Sequence, residues 1–100
     1  MTDFNTSKNN KNIEYAETIA LKAVYFILAD DKIKENFITV SGIQPSSFEG
    51  LVKNPEFFGG ILDFLLANEE KLLEFCKECE IAPEEPARVR QLFPGATYDY

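Results

Sequence analysis

Apolar residues recur at three- and four-residue intervals along most of this chain, and polar or glycine–proline breaks divide them into six stretches. Ile13, Ala16, Ala20, Ala23 and Ile27 form the first stripe and predict a helix from Asn12 or Ile13 to Ala29. Ile19, Val24, Phe26 and Leu28 fill much of its remaining circumference, so its second half should be buried. A second helix, 31–41, carries Ile33, Phe37 and Val40 on one side; Asp30 can cap its start and Gly42 its end. Pro45 opens a short third helix to Lys53, with Phe48, Leu51 and Val52 inward and Ser46 and Glu49 spaced as a capping box.

The stretch 55–68 is the most apolar. Pro55 stands at a first helical position behind a capping Asn54, and Asp63 is the only charge between Phe57 and Ala67. A helix apolar nearly all round belongs in an interior. Gly59 and Gly60 each cost about 1 kcal/mol of helix propensity, which suggests that the alanine stripe of the first helix packs closely against them. Asn68 then caps a fifth helix, 69–80, with Leu72, Leu73, Phe75, Cys76 and Cys79 inward. A sixth begins at Ala82-Pro83, carries Ala87, Val89, Leu92 and Phe93, and stops at Pro94-Gly95. No stretch sustains period-two alternation. The expected fold is all-α, a compact six-helix orthogonal bundle over residues 13–96, with a disordered polar arm at 1–12 and a loose tail at 97–100.

A shift of 38 residues brings six identities into a twenty-residue window: Phe26 on Phe64, Leu28 on Leu66, Ala29 on Ala67, Phe37 on Phe75, Ile43 on Ile81 and Pro45 on Pro83. The same shift sets the cap Asp30 on the cap Asn68. It suggests two three-helix units related by a pseudo-twofold axis.

Charge and composition narrow the function more than they define it. A net charge of −7 lacks the basic stripe that nucleic-acid binding needs. Seven glutamates against Lys71 and Lys77 between Glu69 and Glu85 form an acidic face that either solvates the surface or meets a basic partner. The longest apolar run, 23–29, is far shorter than a membrane span, and the N-terminus has no signal-like apolar region, which points to the cytoplasm. The chain has no histidine, the commonest general base, and no phosphate-cradling glycine loop, so an enzyme is not expected.

Cys76 and Cys79 are spaced as CxxC, yet no other cysteine or histidine completes a zinc site. Both fall toward the C-terminal end of a helix among glutamates, which disfavours thiolate and points to core cysteines. No metal and no cofactor is predicted. The acidic pairs Asp30-Asp31, Glu69-Glu70 and Glu84-Glu85 all sit at helix starts, where capping and the helix dipole account for them. Lys22 and Asp63, lone charges on the two most apolar helices, either mark solvent-facing edges, pair with each other across a helix contact, or meet a partner; the edge reading comes first. Arg88, Arg90 and Phe93 make the candidate binding surface for a protein partner, since arginine and aromatic residues anchor interfaces.

The runs AETIALKAVYFILADD, GIQP, NPEFFGGILDFLLANE and LFPG resemble a family of short alphaproteobacterial proteins known only as a domain of unknown function. The resemblance covers about residues 13–96 and rests mostly on Pro55 to Glu69. It implies a helical, cytoplasmic domain and transfers no catalytic or binding residue. An interaction or regulatory module is therefore the expected function. A structural homodimer completing the burial of the first and fourth helices is the alternative, and a small-molecule or metal-binding domain the third.

Overall fold

A computed structural model describes residues 2–95, with side chains from Asn12 onward. The helices are α1 (Thr2–Ala29), α2 (Asp31–Ser41), α3 (Phe48–Leu51, entered through a 3-10 turn at Pro45–Ser47), α4 (Pro55–Leu66), α5 (Glu69–Cys79) and α6 (Glu85–Arg90). No strand occurs among the described residues, and the fold is all-α. The α1 backbone begins at Thr2, where a disordered arm was expected over 1–12. Of those residues only Asn12 has a described side chain, and the tail at 97–100 lies outside the described residues.

Local chemistry sets the helix ends. Asp30 accepts hydrogen bonds from the backbone N–H of Lys32 and Ile33, Asn54 from that of Glu56, and Asn68 from that of Lys71. Each occupies one or two of the N–H groups that a helix start leaves unpaired. Gly42 closes α2 at φ 74°. Ser46 and Glu49 form no capping box; Pro45 instead starts the 3-10 turn, and α3 is only four residues long. Residues 83–84 are a turn, so α6 begins at Glu85 rather than at Pro83.

Two helices share the centre. α1 packs against α2, α4, α5 and α6, while α4 packs against α1, α5 and α6. The alanine stripe of α1 is fully buried, with Ile19 and Ile27, against a core that includes Phe58, Ile61, Leu62 and Leu65 of α4. The glycine pair does not face that stripe. Gly59 faces α6, and Gly60 is exposed. Four residues expected inward also lie at the surface: Ile13, Val40, Leu73 and Leu92 are 44%, 69%, 47% and 43% exposed, because α2 and α5 bury narrower stripes than expected, Ile13 precedes the buried alanines of α1, and Leu92 lies beyond the end of α6.

Several features recur at the 38-residue shift. Gly42 and Glu80, at φ 74° and 55°, both end their helices in the left-handed conformation. Phe26 packs edge-on against Phe75 with centroids 5.5 Å apart, and Phe64 does the same against Phe37 at 5.1 Å; the shift exchanges these pairs. The third helices depart from the pattern, since α6 packs on both long helices and α3 does not share those main contacts.

Candidate functional site

Three places on the molecule gather polar or reactive side chains. The first is where α6 meets α4. Pro86, Val89, Arg90 and Phe93 fall at i, i+3, i+4 and i+7, the spacing of an inward stripe, and all are buried. Arg90 is thus a charge on the core side of its helix, 3% exposed. Its Nε and Nη2 donate to the Asp63 Oδ1 and Oδ2 at 2.7 and 3.0 Å, a two-point ion pair. Its Nη1 donates to the carbonyls of Phe93 and Pro94, both at 3.1 Å. Gly59 makes the space: a Cβ there would lie 2.9 Å from the guanidinium carbon. Asp63 therefore pairs with Arg90 and not with Lys22, while its side chain stays 38% exposed at the edge of α4 and Lys22 is exposed on α1.

Arg88 sits on the other side of α6, because two residues along a helix turn about 200°. It grips Glu85 through Nε at 2.7 Å and Nη2 at 2.9 Å, while the Tyr15 hydroxyl donates to the same Glu85 carboxylate at 3.0 Å. The guanidinium lies over the Tyr15 ring, 5.7 Å from its centroid. Hydrogen bonding from Arg88 holds the Glu85 carboxyl below its ordinary pKa. Burial, then the hydrogen bond to Glu85, pushes the Tyr15 hydroxyl up. This cluster ties the start of α6 to α1.

The expected surface of Arg88, Arg90 and Phe93 is therefore divided. Only Arg88 reaches solvent; Arg90 and Phe93 belong to the core, where Phe93 packs on Phe58 with centroids 5.7 Å apart. The inward stripe through Val89 was the signal that separates the two arginines, and the lone Asp63 on α4 was the matching one.

The second place is the CxxC. Cys76 is buried and Cys79 partly so, and both are free thiols. Burial pushes both thiols up in pKa, Cys79 against a smaller opposing effect of Lys22. Among the described residues, no group of three or more metal-ligating side chains comes together.

The third is a cleft of about 540 Å³ between α1 and α5. Phe26, Ala29 and Cys79 line it, with Lys22 on one side and Glu78 and Glu80 on the other. Tyr25 stands in it 70% exposed, the most exposed large apolar side chain among the described residues.

Residues 13–96 match the family described as "Protein of unknown function (DUF3572)". The chain belongs to that family. No curated protein and no solved structure matches it. The stretch Pro55 to Glu69 supplies Gly59 and Asp63, and the LFPG run supplies the two carbonyls that hold Arg90, so these residues build and brace the internal ion pair. No described helix is long and apolar enough to cross a membrane.

Proposed function

We propose that this DUF3572 domain is a cytoplasmic, non-enzymatic interaction module that recognises a basic segment of another protein along its α1–α5 edge. The observation that carries the proposal is Tyr25, exposed in a cleft whose α5 side bears Glu78 and Glu80. An exposed aromatic ring beside carboxylates suits an arginine or lysine side chain, which stacks on the ring and pairs with the acid. The net charge of −7 extends the attraction beyond the cleft. With Arg90 and Phe93 in the core, this edge replaces the α6 end as the recognition surface.

The test is affinity capture from the native cells with wild type and with Tyr25→Ala/Glu78→Lys. The expected result is a protein held by wild type, lost from the variant, and released as salt rises, because exposed charge pairing is screened. Capture that is unchanged in the variant would remove the α1–α5 edge from consideration.

A further inference from the structure

On a different edge, between α2 and α4, lies a groove of about 370 Å³. We infer that this groove is a binding site for a small, uncharged, largely apolar molecule carrying one hydrogen-bond acceptor. Its size lies within the range of about 300–1,000 Å³ typical of small-molecule sites. Phe37, Val40, Phe64 and Ala67 supply apolar wall, with Val40 left 69% exposed above a buried Phe37.

Charge selects a neutral occupant. In a chain with 27% charged residues, the groove lining has one, Asp63, and both of its oxygens are held by Arg90. Paired with Arg90, Asp63 offers an ionic ligand no net countercharge in the lining. Asn68 uses its Oδ1 to cap α5, and among the described residues no contact engages its amide N–H groups, which leaves a donor for the acceptor end of the ligand.

Gly60 is the independent sign. It lies within α4, lines the groove, and a Cβ added to it meets nothing within 4 Å. Gly59 makes room for Arg90, whereas no described neighbour requires a glycine at 60. A glycine inside a helix costs about 1 kcal/mol relative to alanine. The open backbone face at Gly60 lets an occupant approach α4 more closely than any side chain would allow.

The test titrates the full chain with the uncharged fluorescent probe 6-propionyl-2-(dimethylamino)naphthalene, whose ketone oxygen is the acceptor, and, in parallel, with the anionic probe 1-anilinonaphthalene-8-sulfonate. Wild type should bind the uncharged probe saturably, one per chain, and more tightly than the anionic one. Gly60→Leu fills the groove floor while favouring the helix. It should melt no lower than wild type and bind the uncharged probe at least about tenfold more weakly. Leu73→Ala, outside the lining, should bind as wild type does. Non-saturable binding, a preference for the anionic probe, or undiminished binding by Gly60→Leu would overturn the inference. So would light scattering that gives twice the chain mass for wild type and the single mass for Gly60→Leu, since a second copy would then fill the groove.

Discussion

Gly59 and Arg90 compete for one volume: a Cβ on Gly59 would sit 2.9 Å from both the guanidinium carbon and Nη1. Four hydrogen bonds pin that guanidinium, so it has little freedom to retreat. Gly59→Ala should destabilise the domain by about 1–3 kcal/mol, the cost of overpacking, despite the gain in helix propensity. Gly60→Ala, one residue on and facing open space, should stabilise it by about 0.5–1 kcal/mol. Urea denaturation of the two variants checks the contrast, and shifts of the same sign would refute the placement of Arg90.

Removing one partner of the ion pair should cost more than removing both. Arg90→Ala strands Asp63 and opens a hole, with an expected loss of about 3 kcal/mol; this is the low end for buried pairs, because Asp63 keeps some contact with water. Asp63→Leu combined with Arg90→Met should recover most of that loss. Equilibrium melts of single and double variants measure the coupling, and additive losses would show that the pair is not coupled.

Glu80 is the one non-glycine with positive φ among the described residues. It stands where Gly42 stands in α2, and its Cβ strains a conformation that glycine adopts freely. Glu80→Gly should be neutral or raise stability by up to about 1 kcal/mol, read from the thermal midpoint. A clear loss would mean that the Glu80 side chain makes a stabilising contact.

The Tyr15–Glu85–Arg88 cluster should give a pH signature of definite sign. The Glu85 carboxyl is held below its ordinary value of 4.5, so its contribution is present above that pH and fades as the pH falls through the folded value. The Tyr15 hydroxyl is raised above 10.0, so its contribution is complete below that pH and is lost as the pH rises through the higher folded value. Stability curves of wild type and Tyr15→Phe should therefore converge at the alkaline end, and those of wild type and Arg88→Ala at the acid end. A constant offset across the whole range would dismiss the cluster as a titrating unit.

Cys76→Ser with Cys79→Ser should lower stability by about 1–2 kcal/mol, mostly through the hydroxyl buried at position 76. Iodoacetamide should label Cys76 slowly in the folded protein, since the thiol is both buried and raised in pKa. Rapid labelling of Cys76 under native conditions would contradict that burial.

What could be read from the sequence was mostly local. Asp30, Asn54, Asn68 and Gly42 declare helix ends within two or three residues, and all four act as such. The alanine stripe of α1 and the apolar face of α4 follow from spacing alone. Arg90 was harder, because its partner lies 27 residues away and nothing nearby distinguishes it from Arg88 except the stripe through Val89. Which face of Gly59-Gly60 would be covered depended on that same distant contact. Tyr25 lies on the mostly apolar second half of α1, and its exposure reflects which side the short α5 leaves open.

The carbonyls of Phe93 and Pro94 have a consequence for where this domain may be cut. A chain shortened after Arg90 would include every residue assigned to the six helices, yet it would remove two of the four hydrogen bonds that hold a buried guanidinium. The packed unit thus extends at least to Pro94, four residues beyond the last helical residue. An expression boundary drawn at the end of secondary structure would discard two peptide oxygens that hold a buried cation, together with the Phe93 ring that packs on Phe58.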